Sequence, residues 1–214
     1  MKLLLVCGPW SSGTSVVAGL LAKLGATGFG PYFSTNDERT NNSYESVAFR
    51  HLVQAFASEE TLSLKPGIDV RAQLRTFHDR IVNQELGFYD EKSGGPIFLK
   101  YPLSALVIPQ ICDVFETRLV YVVRSVQDIE ATRRRRRWPE QFGAKGAEVI
   151  YTCMFTALVN YSFPTLILRY HELLASPIEH VRKLVDFAGL TSRDHLVQEA
   201  SELVRKPDFV AALL

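Results

Sequence analysis

Cys7-Gly-Pro-Trp-Ser-Ser-Gly-Thr-Ser15 decides how the rest of the chain is read. It follows the apolar run Lys2-Leu-Leu-Leu-Val-Cys7 and precedes Val16-Val-Ala-Gly-Leu-Leu-Ala-Lys-Leu24. The run before it is apolar without alternation, the pattern of a strand buried on both faces. After it, Val16, Val17, Leu20, Leu21 and Leu24 recur at helical spacing, and Gly25 supplies a stop. The stretch is therefore a strand-to-helix turn framed by Gly8 and Gly13. At such a turn the loop N–H groups point inward and the helix dipole adds partial positive charge, so an anion is favoured. Ser11, Ser12, Thr14 and Ser15 add hydroxyl donors beyond what capping one helix needs. The plainer alternative is a tight turn whose Ser and Thr only cap the helix.

Working outward, residues 27–43 are rich in Gly, Asn, Ser and Thr and read as loop. Helical patterns follow over 44–57 and 69–86. Pro96-Ile-Phe-Leu-Lys100 reads as a second strand, and Leu103 to Phe115 as helical in part. Arg118-Leu-Val-Tyr-Val-Val123 is a third strand, ending at Arg124, and Ser125 with Asp128 opens a helix by a capping box. A helix over 146–162 precedes a short strand, Thr165-Leu-Ile-Leu168. Ser176-Pro177-Ile178-Glu179 opens the next helix, with a Ser cap and Pro at its first position, and a last helix covers 193–205. Strands alternating with helices predict an α/β fold of three layers around a mostly parallel sheet, in one domain over 1–214. In such sheets ligands bind beyond the carboxyl ends of the strands. That rule gathers the Gly8–Ser15 loop, Lys100 and Arg124 at one edge.

The formal charge of +1 gives no global field to recruit nucleic acid or a membrane surface, so any electrostatic function is local. Cys7, Cys112 and Cys153 are few, far apart and without metal-ligand spacing, which predicts reduced thiols in a cytoplasm-like compartment and no metal site. The apolar run after Lys2 is too short for a secretory signal, and no stretch approaches a membrane-spanning length.

Gly8-Pro-Trp-Ser-Ser-Gly13 matches the start of the nucleoside-triphosphate loop G-x-x-x-x-G-K-Ser/Thr, but Thr14 stands where its Lys should be. Arg124 sits where an acid would hold magnesium. Both departures argue against a triphosphate kinase, which stays as the weakest alternative. Ser11-Ser-Gly-Thr-Ser15 instead resembles the 5′-phosphate loop of sulfotransferases that use 3′-phosphoadenosine 5′-phosphosulfate (PAPS), commonly R/K-S-G-T-S/T. Arg118-Leu-Val-Tyr-Val-Val-Arg124-Ser-Val-Gln-Asp128 resembles that family's strand ending in Arg, with Thr132 eight residues on where a Ser is usual. Leu168-Arg-Tyr170-His-Glu-Leu-Leu174-Ala-Ser-Pro177, with Phe187-Ala-Gly-Leu190 beyond, is similar to the family's "Y-E-D-L…D-P…F-L-G-L". Leu99-Lys100-Tyr-Pro102 resembles a "K-x-P" of bacterial members, and Asn41-Asn-Ser-Tyr44-Glu45 their "N-P-x-G-Y-F-E". The matches run in order over about 5–190. They imply the sulfotransferase type of P-loop NTPase-like fold, with PAPS as donor and 3′,5′-adenosine bisphosphate (PAP) as product.

The resemblance implies roles residue by residue. Ser11, Ser12, Gly13, Thr14 and Ser15 would hold the 5′-phosphate, and Arg124 and Thr132 the 3′-phosphate; apart from the resemblance, Trp10 and Trp138 could stack on adenine or acceptor, with core packing the default for an aromatic. The family usually carries Lys or Arg where Ser11 stands, a cation that stabilises charge on the departing oxygen. Lys100, at the same sheet edge, is the substitute, and Glu45 is the first candidate for the base that takes the acceptor proton, with His51 second. Asp37 and Glu38 lie in a loop that could cover the site, and Arg205 and Lys206 fall where some members place a basic loop on the nucleotide. Arg133-Arg-Arg-Arg-Arg137 either edges the cleft for an anionic small-molecule or glycan acceptor or is a solvated helix end; without interleaved aromatics it does not suggest nucleic acid. A binding or scaffold protein without turnover is the rival reading, because Ser11 carries no charge.

Overall fold

The computed structural model describes residues 1–34, 42–87, 95–191 and 194–204. Asp37, Glu38, Asn41, Arg205 and Lys206 lie outside them. Four strands form the central sheet: β1 (Lys2–Cys7), β4 (Ile97–Lys100), β5 (Glu116–Val123) and β6 (Thr165–Arg169), in the order β4-β1-β5-β6 with every pairing parallel. β2 (Ala57–Ser58) and β3 (Ser63–Leu64) form a separate antiparallel hairpin.

The sequence pattern explains the layers. β1 is buried on both faces from Leu3 to Cys7. Its residues alternate between two cores: Leu3, Leu5 and Cys7 face one, Leu4 and Val6 the other. On the second face lie α1 (Thr14–Lys23), α7 (Tyr170–Ala175), α8 (Pro177–Ala188) and α9 (Asp194–Glu202), whose Val17, Leu20, Leu21, Leu173, Val181, Leu184 and Val197 close that core. The first face is covered by α2 (Val47–Phe56), α3 (Val70–Val82), α4 (Ile108–Val114) and α6 (Ala144–Asn160), through Phe49, Val53, Phe56, Leu74, Phe77, Ile111, Ile150 and Met154. α5 (Val126–Arg136) follows β5 and contributes only Ile129 to the interior. This is the three-layer α/β arrangement that the alternation of strands and helices implies.

Boundaries differ from the sequence reading where side chains or turns intervene. α2 begins at Val47 rather than Tyr44, because Tyr44 has φ +55° and Ser46 Oγ accepts from the Phe49 N–H as the cap. α3 ends at Val82 rather than 86, and Gln84 turns left-handed at φ +61°. The segment expected helical from Leu103 is a 3₁₀ turn, Pro102–Val107, before α4. The hairpin at Ala57–Leu64 and α7 carry too few residues to leave a periodic signal. Cys7, Cys112 and Cys153 are free thiols; burial pushes Cys7 up to about 12 and Cys112 to about 11. Among the described residues no helix is long and apolar enough to cross a membrane.

Candidate active site

The loop between β1 and α1 is shaped by its own small residues. Gly13 is the N-cap of α1 at φ +100°, a conformation that favours glycine. A Cβ there would run into the Tyr170 ring. Gly8 lets the loop fold back, since a Cβ on it would lie 2.7 Å from both Ser12 Oγ and the Val122 carbonyl. Ser12 N–H donates to the Pro9 carbonyl at 3.2 Å, and Ser11 is left-handed at φ +64°. The turn is therefore tight, and it ends on helix N–H groups that have no intrahelical partner.

Two polar atoms in this loop are buried and unused. Among the described residues, neither Ser11 Oγ nor Ser12 Oγ has a hydrogen-bond partner. A buried hydroxyl without a partner costs about 1–3 kcal/mol, so native structures keep few of them and often at ligand sites. Here two fall in consecutive residues of a glycine-framed loop; Gln110 Oε1 and Tyr121 Oη are also buried without a partner among the described residues.

A cation reaches the loop at each end. Arg124, at the carboxyl end of β5, donates from Nη1 to the Ser11 carbonyl at 3.0 Å and to Thr132 Oγ1 at 3.4 Å. Its backbone is fixed by Tyr151, whose hydroxyl donates to the Arg124 carbonyl at 2.7 Å and accepts from its N–H at 2.9 Å. Tyr170 lies beneath the guanidinium, 5.3 Å from ring centroid to Cζ, and burial pushes its phenol above the ordinary value. Thr132 is one turn beyond Asp128 on α5 and donates to its carbonyl at 2.8 Å. At the other end Lys100, the last residue of β4, is 3% exposed. Its Nζ donates to Ser15 Oγ at 3.1 Å, the Ser43 carbonyl at 3.1 Å and Glu45 Oε1 at 2.8 Å.

The structure thus brings Ser11, Ser12, Gly13, Thr14, Ser15, Lys100, Glu45, Arg124 and Thr132 to one sheet edge. It places two other candidates elsewhere. Trp10 is 9% exposed, its ring centroid 4.8 Å from that of Phe142 in the core. His51 is exposed on α2 and lines a depression with Pro31, Leu52, Phe77 and Arg80. Glu45 is buried, because Ser43 and Lys100 fold the 42–46 segment inward. Sequence reasoning assigned no role to Tyr170, Tyr151 or Arg50. The strand-end rule that singled out Lys100 and Arg124 applies equally to Tyr170, which follows β6 directly.

Of the five arginines, Arg133, Arg134 and Arg136 make contacts within the fold. α5 ends at Arg136, and Arg137 is its left-handed cap. Arg133 donates to both oxygens of Glu130 and to the Trp138 carbonyl, and Arg134 donates to Glu130. Glu130 also accepts from the Ala144 N–H that starts α6. These bonds, Arg133 first and Ala144 next, hold the Glu130 carboxyl down at about 2. Arg136 lies over the Trp138 ring at 4.5 Å. Among the described residues no cluster of His, Cys, Asp or Glu is grouped as a metal site would need.

No family model matches the sequence, and no curated protein matches it. Solved structures do. One similar fold is the sulfotransferase domain from the Synechococcus PCC 7002 olefin synthase, at 15% identity and a TM-score of 0.57, covering 99% of this chain and 82% of that one. Another is the sulfotransferase domain from the curacin biosynthetic pathway, at 16% identity and a TM-score of 0.54, covering 91% of this chain and 76% of that one. Likeness at these identities is likeness of fold.

Proposed function

We propose that this chain is a PAPS-dependent sulfotransferase of the family whose loop motifs it resembles. One observation carries the reading: the unpartnered hydroxyls of Ser11 and Ser12 sit in a tight loop whose Ser11 carbonyl accepts from Arg124 and whose Ser15 hydroxyl accepts from Lys100. A kinase loop places its cation within the glycine frame. Here the cations come from two other strand ends, which suits a ligand with two separated phosphates.

The residues present fit such a nucleotide. The hydroxyls and N–H groups of Ser11 to Ser15 would take the 5′-phosphate. Arg124, a planar fork of donors, would take the 3′-phosphate with Thr132. PAPS would supply the sulfuryl group, passed in line to an acceptor hydroxyl or amine, with PAP as the leaving product. Lys100 holds positive charge at the Ser15 end of the loop, where the charge of a departing oxygen would build up, and so takes the place of the cation missing at Ser11. Glu45, the acid brought closest to the loop through Lys100, would take the acceptor's proton on a carboxylate oxygen. The acceptor is a small molecule or a glycan, and a cytoplasmic setting agrees with the reduced thiols.

A second reading, a nucleotide-binding protein without turnover, is favoured by one feature: Lys100 Nζ already has three acceptors. Both readings are tested by calorimetric titration with PAP, with ATP plus magnesium as the control, followed by sulfate transfer from PAPS across an acceptor panel. PAP binding that weakens ten- to hundred-fold in Arg124→Ala, on the order of the ~1.5–3 kcal/mol of a charged hydrogen bond, is expected. Transfer to any acceptor decides for the enzyme over the binding protein. Magnesium-dependent ATP binding with no PAP binding would overturn both.

A further inference from the structure

Glu45 is held from both sides. Lys100 donates to its Oε1 at 2.8 Å and Arg50 Nη1 to its Oε2 at 3.3 Å. Arg50 is itself closely confined. Its side chain is 15% exposed, its Nη2 donates to Glu59 Oε1 at 2.9 Å, and its Cζ stands 3.8 Å from the Phe33 ring centroid and 5.4 Å from that of Tyr101. Tyr101 donates its hydroxyl to the same Glu59 oxygen at 2.6 Å. Burial, then that bond, pushes the Tyr101 phenol far above its ordinary value, so it stays a donor. Lys100, Glu45, Arg50 and Glu59 form an unbroken row of alternating charge from Ser15 of the loop to the Ala57–Leu64 hairpin.

A carboxylate bonded through one oxygen can turn about its own bond. A donor on each oxygen fixes its plane. Only a guanidinium can do this here while also reaching Glu59, because it presents separate N–H groups in a fixed fork. The aromatic rings hold that fork in place. Removing it would leave two acids, Glu45 and Glu59, near each other in a poorly solvated place, with Lys100 alone to balance them.

We propose that Arg50 is a positioning residue: anchored on Glu59 between Phe33 and Tyr101, it holds the Glu45 carboxylate so that Oε1 faces the Lys100 ammonium at the end of the phosphate loop. It acts through Glu45, not on the nucleotide. The functional weight of this rests on the reading of Lys100 and Glu45 as the reacting side of a sulfuryl-transfer site, but the geometric claim is testable without an acceptor. The probes are the 1H–15N ammonium signal of Lys100, assigned by its loss in Lys100→Met, and PAP titration.

A buried ammonium with three acceptors exchanges its protons slowly, so the wild type shows the signal; a wild type without it contradicts the arrangement. In Arg50→Gln the Lys100 signal shifts or broadens, Arg50→Lys gives a smaller change, and PAP affinity stays within about threefold of wild type. An unchanged Lys100 signal in Arg50→Gln overturns the proposal. So does a loss of PAP affinity beyond about tenfold in a folded variant, which would place Arg50 on the nucleotide instead. If circular dichroism shows Arg50→Gln unfolded, the same signal in Arg50→Lys decides. A wild type whose Lys100 signal responds to Arg50 but which binds no PAP leaves the positioning role standing and removes the sulfotransferase reading.

Discussion

In the Gly8–Ser15 loop, two buried hydroxyls have no partner among the described residues, while in the Arg133–Arg137 run the most conspicuous charge in the sequence is bonded to Glu130, the Trp138 carbonyl and the Trp138 ring. The loop contains no charged residue and holds two hydroxyls that the fold leaves unbonded. The run is full of charge, and its Arg133 and Arg134 are bonded to Glu130, which also accepts from the Ala144 N–H at the start of α6. The difference is one of unfinished hydrogen bonding. The fold positions the two loop hydroxyls and leaves them unsatisfied, whereas Arg133 and Arg134 are paired with Glu130 within one helix.

The largest test of this contrast is Gly13→Ala. A Cβ at φ +100° is strained and meets the Tyr170 ring, so the substitution should cost about 2–4 kcal/mol and abolish PAP binding. Thermal melting and calorimetry check it; unchanged values for both would break the described packing of Tyr170 on the loop. Ser12→Ala sharpens the contrast, because its hydroxyl has nothing to lose in the free protein. Removing the unpartnered hydroxyl should leave the protein at least as stable as wild type, by up to about 1–3 kcal/mol, while PAP affinity falls on the order of tenfold. A marked loss of stability would mean that the hydroxyl has a partner in the fold.

Glu130→Gln is the smallest effect and tests the other side. The native carboxyl sits at about 2 against an ordinary 4.5. A depressed value means that the bonded carboxylate contributes stability in full above 4.5, and that this is lost as pH falls toward 2. Denaturant midpoints of wild type and variant should therefore differ at neutral pH and converge in acid, with PAP affinity unchanged throughout. A difference that persists in acid would show that the arginine hub does not depend on this charge.

The parts of the fold that the sequence announces are those with a local cause. Leu3–Cys7 of β1 and Leu119–Val123 of β5 are continuous apolar runs, and the loop after β1 is framed by glycines whose backbone needs are local. The strand-end rule then brings Lys100 and Arg124 to the loop without knowledge of any side-chain contact. The inward fold of Glu45, the row through Arg50 and Glu59, and Tyr170 over Gly13 depend on partners distant in sequence, such as Lys100 on Glu45 and Tyr101 on Glu59. No periodicity encodes those contacts. Trp10 follows the default for an aromatic: its ring packs in the core beside Phe142.

A crystal structure with PAP tests the central claim most directly. The predicted result is the 5′-phosphate within hydrogen-bond distance of Ser11 and Ser12 Oγ and the 3′-phosphate on Arg124 and Thr132. A nucleotide bound elsewhere, or a loop that stays empty with the two hydroxyls still unpartnered at saturating PAP, would contradict it.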